Sequence, residues 1–221
     1  MRLTSKSIMT GLVLACLFEG AASPVPALAN SVTPGAALMR RSMESIQTPA
    51  GNFVQNMGAR TLAVIDDESL TRDQQKEKYR EILHEYFDLP AIARFVIGRA
   101  WNAATPEQQQ EYTKLFESTV VKMYADRLSN GHGEKSLIIN TRPESDSEVI
   151  VSSQIMHPDR SPPTKVDWRV RNKDGKFAIL DVVIEGVSQT ITKREEYAAI
   201  IHRDGGKVDG LLAAMRDHLK E

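Results

Sequence analysis

Between Thr48 and Val121 the apolar residues recur with a helical period. Phe53, Val54, Met57, Thr61, Val64 and Ile65 form one stripe that stops at Asp66-Asp67-Glu68. Thr71 with Gln74 makes a capping-box pair, and Tyr79, Ile82, Leu83, Tyr86 and Phe87 continue behind it. Asp88 caps a third segment, with Pro90 in its first turn and Ala91, Ile92, Phe95 and Val96 running to Gly98. Thr105-Pro106-Glu107-Gln108 supplies a cap, a first-turn proline and a reciprocal glutamine. The stripe it opens is long: Tyr112, Leu115, Phe116, Thr119, Val120, Met123, Tyr124 and Leu128. Asn130-Gly131-His132-Gly133 ends it.

The period then changes to two. Residues 135–142, 148–156, 164–172 and 176–185 read as four strands joined by short turns, which makes them antiparallel neighbours. Asn172-Lys173-Asp174-Gly175 is a tight hairpin signal. The fourth strand is apolar on both faces, with Phe177, Ile179 and Val183 against Ala178, Leu180, Val182 and Ile184, as expected for a central or doubly covered strand. After Gly186-Val187-Ser188, Thr192 and Glu195 form a further capping box, Tyr197, Ile200 and Ile201 share a face, and Asp204-Gly205-Gly206 breaks the helix. Val208, Leu211, Leu212, Met215 and Leu219 make a last amphipathic helix. The expected fold is α+β: a curved antiparallel sheet of about four strands, covered by helices from both ends of the chain.

The first residues follow neither period. Arg2 and Lys6 precede an almost uninterrupted apolar run over 8–18, too short to span a bilayer, and then Ala27-Leu28-Ala29. This is the pattern of an export signal over 1–29, cleaved after Ala29; a membrane anchor or core helix is the alternative. Cys16 sits in a weak lipidation-like context but leaves with the signal on this reading. Residues 30–47 are an arm, either disordered or a short helix starting at Thr33-Pro34. Residues 48–221 are the folded domain.

The 221 residues carry 28 basic and 29 acidic side chains, and a near-neutral balance argues against nucleic acid as a partner. Cleavage would remove Arg2, Lys6 and Glu19, leaving 26 basic and 28 acidic residues and no Cys. No metal, dinucleotide or phosphate-loop motif is present, and the five His are scattered. Gly186-Val187-Ser188-Gln189-Thr190 lacks the second glycine of a nucleophile elbow, and the helix is expected only after a delay beyond it. Asp181 and Glu185 share one face of the fourth strand, where two carboxylates could do acid–base work or simply form a salt bridge or turn contact. Arg169, Arg171, Lys173 and Lys176 form a solvated hairpin tip or a contact for lipid phosphate or an acidic partner. The chain is therefore read as a binding protein and not an enzyme, with no catalytic residues, metal or cofactor.

Several segments together resemble one family. They are Phe87-Asp88-Leu89-Pro90, Gly98-Arg99-x-Trp101, Thr105-Pro106-Glu107-Gln108, Val166-Asp167-Trp168-Arg169, and the strand from Phe177 through Ile184-Glu185-Gly186-Val187-Ser188, followed by Arg194, Tyr197 and Gly205-Gly206. In this order they resemble the MlaC family of periplasmic phospholipid-binding proteins, also called toluene-tolerance proteins, over about Thr48 to Leu219. Residues 30–47 extend beyond the usual start, and Phe177 stands where the family often has Trp. The resemblance implies a periplasmic shuttle carrying phospholipid between an outer-membrane lipoprotein–porin complex and an inner-membrane ABC transporter with its substrate-binding ring, in support of outer-membrane lipid asymmetry.

Each buried CH₂ is worth roughly 0.8 kcal/mol, so two acyl chains of about sixteen carbons represent over ~20 kcal/mol of avoided water exposure. A carrier needs a dry apolar cavity for them between the sheet and the helices, with the polar head left outside. The candidate lining is Phe95, Val96, Leu115, Phe116 and Tyr124 from the helices, and Val151, Val166, Trp168 and Val183 from the sheet. Val187 and Tyr197 lie behind these. Any of these is equally explained as dry core touching no lipid. Three other readings stay open: a carrier of another apolar ligand (hopanoid, sterol or quinone), a small cone-shaped α+β hydrolase or isomerase using Asp181 and Glu185, and an interaction module with no cavity large enough for an acyl chain.

Overall fold

The structure is a computed structural model that describes residues 47–128, 133–159 and 161–220. The signal segment 1–29 with Cys16 and the cleavage site, nearly all of the arm, and His132 lie outside the described residues.

The described residues form seven helices and one five-stranded antiparallel meander. Local chemistry starts most helices. Helix α1 (Pro49–Asp66) begins at Thr48, whose Oγ1 accepts the Gly51 N–H at 3.0 Å, with Pro49 in the first turn. Helix α2 (Arg72–Tyr86) carries the expected reciprocal box of Thr71 and Gln74, and α3 (Leu89–Ile97) is capped by Asp88. After the short α4 (Ala100–Ala103), the 23-residue α5 (Pro106–Leu128) opens on a second reciprocal box, Thr105 with Gln108.

The sheet order is β1 (Lys135–Ser145), β2 (Glu148–Met156), β3 (Thr164–Lys173), β4 (Lys176–Ile184) and β5 (Val187–Ser188). Three expectations are corrected here. First, β1 runs on through Pro143 to Ser145; as an edge strand interrupted by two bulges, it tolerates the proline. Second, a fifth strand follows the turn at Glu185 and Gly186, both at positive φ, where Glu185 is held by the Lys165 N–H at 2.6 Å. Third, β4 does not keep one parity. Arg169 pairs with Asp181 but Val170 pairs with Ile179, so Leu180 is an extra residue. Beyond this bulge Val182 and Ile184 join Val166 and Trp168 on the inner face, and Val183 turns outward with Asp167.

Helix α6 (Gln189–Arg203) starts three residues before the expected Thr192 cap, directly after β5. Ser188 caps it, accepting the Ile191 N–H at 3.1 Å, while Thr192 lies inside the helix and donates to the Ser188 carbonyl. Helix α7 (Val208–His218) closes the domain.

Two large apolar regions result, and a smaller cluster of Leu83, Leu89 and Val121 packs with Phe87 and Tyr124. Helices α1 and α2 lie over the inner face of the sheet, around Val54, Ile65, Val151, Val170 and Ile179. Helices α3, α5, α6 and α7 pack around Tyr112, Phe116, Leu211 and Leu212. Phe87 joins the two by a parallel bridge to Ile179, and the Asp88 N–H donates to the Ile179 carbonyl at 3.1 Å, covering the part of β4 that short β5 leaves free.

Candidate binding cavity

Two adjoining chambers open where these regions meet. The larger, about 340 Å³, lies between helices α1 and α2 and the inner sheet face. Met57, Ile65, Tyr79 and Ile82 form its helical wall, and Ile155, Val166, Trp168 and Ile184 its sheet wall. The smaller, about 170 Å³, lies among α3, α5, α6 and β4, with Leu89, Ile92, Val96, Phe116, Val120 and Tyr197 around it. Phe87, Met123, Tyr124, Val182 and Gln189 line both, so they form the partition. The Phe87 and Tyr124 rings meet edge-on there, 6.3 Å between centroids.

Several polar groups in these walls are satisfied within the protein, among them the Thr61 and Thr119 hydroxyls, which donate to the Met57 and Leu115 carbonyls. The Trp168 indole N–H donates to Ser153 Oγ at 2.9 Å, and that buried hydroxyl donates to the Val166 carbonyl at 3.1 Å. The indole can therefore present its carbon surface to the larger chamber. Burial pushes the phenols of Tyr79 and Tyr197 further above their ordinary value of 10.0. The partly exposed polar residues gather at the rims. Glu134, Ser136, His157 and Thr164 border the larger chamber, with His157 bonded to Glu134 at 3.0 Å and to Thr164 at 2.9 Å. Thr190, Thr192, Lys193 and Glu196 border the smaller.

Six of the residues chosen from sequence border a chamber: Val96, Phe116 and Tyr197 the smaller, Val166 and Trp168 the larger, and Tyr124 both. The other five do not. Val151 is fully buried in solid core, and Leu115 is half-buried against the helical region. Phe95 is 42% exposed under the Arg194 guanidinium, Val187 is 53% exposed on β5, and the bulge turns Val183 outward. Sequence reasoning missed the α1 and α2 wall and the partition residues Phe87, Met123 and Val182. A usable signal was Gly58, a small residue within the α1 pattern that borders the larger chamber.

The carboxylates take separate places. Buried Asp181 borders the smaller chamber, but both its oxygens are engaged. Oδ2 accepts from the Ser188 hydroxyl at 2.5 Å, and Oδ1 from the Val182 and Thr190 N–H groups. It locks the β5–α6 junction. Glu185 is exposed in the turn, so the two form no acid–base pair on one face. Arg169 pairs with Glu148, and Arg171 reaches Asp88 at 2.5 Å; only Lys173 and Lys176 fit the solvated tip. Among the described residues no group of His, Cys, Asp and Glu could hold a metal, and no helix is long and apolar enough to cross a membrane.

Known proteins share this architecture. The sequence model of the MlaC protein family matches residues 55–217. The intermembrane phospholipid transport system binding protein MlaC of Haemophilus influenzae is 25% identical over 140 residues, which cover 62% of this chain and 64% of that protein. The phospholipid-binding protein from Ralstonia solanacearum, solved in complex with a phospholipid, superposes with a TM-score of 0.67 at 24% identity. The match covers 77% of this chain and 98% of that one, and it establishes the shared fold.

Proposed function

The chain belongs to the MlaC family, and we propose that it is a periplasmic carrier that binds phospholipid by its acyl chains and moves it between membranes. The observation that carries this reading is the pair of apolar chambers between sheet and helices, whose exposed polar residues gather at the rims and whose one buried carboxylate, Asp181, is hydrogen-bonded through both oxygens. Transfer of acyl chains out of water is favourable by roughly 0.8 kcal/mol per CH₂, so an apolar chamber inside a water-facing domain suits them. A head group left at the rim stays hydrated and needs no buried counter-charge. The relative named for intermembrane phospholipid transport and the lipid-bound neighbour support the same reading.

On this proposal residues 1–29 are the export signal, 30–47 an arm, and 48–221 the carrier domain. Val96, Phe116, Tyr124, Val166, Trp168 and Tyr197 touch acyl chains. The partners are an inner-membrane ABC transporter with its substrate-binding ring and an outer-membrane lipoprotein–porin complex. The test is native mass spectrometry of the exported, purified protein. Bound phospholipid that survives desalting is expected. A ligand-free protein that takes up none from phosphatidylethanolamine–phosphatidylglycerol vesicles would refute the proposal.

A further inference from the structure

We infer that the corner built from the end of α3 and the start of α6 is a membrane-docking patch, which sets the rim of the smaller chamber against a bilayer surface bearing anionic phospholipid. This rests on the carrier reading above and adds the surface at which the carrier loads.

Exposed apolar side chains gather at this corner. Phe95 is 42% exposed, Val187 53% and Ile191 50%. Val187 immediately precedes the Ser188 cap, and Ile191 and Arg194 lie three residues apart on one side of α6. Arg194 ties that side to α3. Its Nη1 donates to the Phe95 carbonyl at 3.2 Å, and its guanidinium lies 4.8 Å from the centroid of the Phe95 ring. Gly98 permits the approach, since a Cβ there would come within 3.4 Å of Arg194 Nη2. The intervening Thr190, Thr192 and Lys193 border the smaller chamber. The first turns of α6 therefore carry the patch on one side and the chamber rim on the other. Leu137, Ile139 and Met156, the other large apolar side chains exposed among the described residues, border neither chamber.

The charges of the corner select the partner. Arg99 and Arg194 form no ion pair among the described residues, whereas Arg169, Arg171 and Arg216 are each held by a carboxylate. Arg94, also without an ion pair there, lies over the Trp101 ring at 5.3 Å. Guanidinium groups suit lipid phosphates, and exposed apolar side chains beside them suit the layer just beneath the head groups. Glu185, Glu195 and Glu196 stand nearby, the last held by Lys193 at 2.6 Å, so the positive surplus is small. Contact is therefore shallow, brief and sensitive to salt, as a carrier that must leave again requires.

Ile191→Asp tests the patch without altering the lining. An acidic residue in the first turn of a helix is favourable, and the Ile191 N–H keeps its bond to Ser188, so α6 retains its start. Arg99→Glu tests the charge, and Leu137→Asp on β1 is the control. The exported, purified protein and each variant are delipidated and mixed with vesicles of phosphatidylcholine alone or of phosphatidylcholine with phosphatidylglycerol, both carrying a trace of pyrene-labelled phosphatidylcholine. The initial rate of probe uptake is read by fluorescence, and final lipid occupancy by native mass spectrometry. The unmodified protein is expected to load at least threefold faster from the anionic vesicles, and added salt to remove that advantage. Ile191→Asp and Arg99→Glu are expected to lower the rate from anionic vesicles at least fivefold with final occupancy unchanged, while Leu137→Asp matches the unmodified protein. Ile191→Asp loading at the unmodified rate, the result expected if the patch meets a membrane protein instead, would overturn the docking patch and leave lipid carriage standing. So would equal rates from the two kinds of vesicle, or a loss of final occupancy in Ile191→Asp. If the unmodified protein takes up lipid from neither vesicle, both readings fall.

Discussion

The α7 side of the helical region, around Leu211, and the sheet region around Trp168 are built from the same kind of apolar stripe, yet the first borders no chamber and the second is hollow. Around Leu211, helices α3, α5, α6 and α7 interlock, and Tyr112 is fully buried with rings of Phe116, Tyr197 and Trp101 at 5.8–6.3 Å. Its hydroxyl donates to the Ala93 carbonyl at 3.0 Å. Around Trp168, α1 and α2 span a curved sheet face that they do not fill, and the remainder is the larger chamber. An apolar stripe states which face is turned from water. Whether that face meets another side chain or a ligand depends on the separation of the elements.

The largest expected effect separates the regions by stability. Leu211→Ala should cost about 3–4 kcal/mol, because its surroundings are packed and cannot collapse. Met57→Ala, on a wall already facing a cavity, should cost about 2 kcal/mol. Urea denaturation of the delipidated proteins measures both, and equal costs would break the distinction. Next comes a functional contrast. Met123→Glu places a carboxylate in the partition and should lower bound phospholipid more than tenfold, whereas Val183→Glu on the outer sheet face should leave it unchanged. Quantitative lipid extraction checks the pair.

A smaller effect concerns how the hollow region is walled. Thr48→Ala removes the α1 cap and should cost about 1 kcal/mol. The loss should appear as faster amide exchange in α1, with α7 unaffected. The smallest lies on the solid side, where Glu111 of α5 pairs with Arg216 of α7 at 2.6 Å. The Arg216 hydrogen bond holds the Glu111 carboxyl below its ordinary value of 4.5. Its folded-state value is thus depressed. The contribution is present above the ordinary carboxylate range and is lost as pH falls through the folded value. Glu111→Gln should therefore flatten the acid side of the stability profile slightly and leave stability above pH ~6 reduced. An unchanged acid slope would show that the pair does not tie α5 to α7.

Much of the fold is legible in the sequence because its signals are local. Thr71 with Gln74, Asp88 with Pro90, and Thr105 with Gln108 each act within one turn, and each starts a helix where expected. The Asp174-Gly175 turn is equally local. The departures come from non-local causes. Leu180 is inserted against β3, which moves Val183 off the inner face, and no periodicity within β4 reveals that. Ser188 caps α6 because Asp181, seven residues earlier in β4, orients its hydroxyl. Where the candidate lining misses the chambers, the cause is again non-local. Val151 and Val166 belong to the same sheet-side core, but only the second borders the larger chamber, and nothing within either strand's alternation marks that difference. The family resemblance compensated in part, since it pointed to a cavity that periodicity alone does not reveal.

The central claim is that acyl chains occupy the chambers and not the packed core around Tyr112 and Leu211, and the two tryptophans report on the larger chamber directly. Trp168 borders the larger chamber, whereas Trp101 packs against Tyr112 and under Arg94, outside both chambers. Phospholipid brominated along its acyl chains, which quenches indole emission on contact, is loaded into Trp101→Phe and Trp168→Phe variants. Strong quenching is predicted where only Trp168 remains, and almost none where only Trp101 remains. Equal quenching of the two, or quenching of Trp101 alone, would contradict the account.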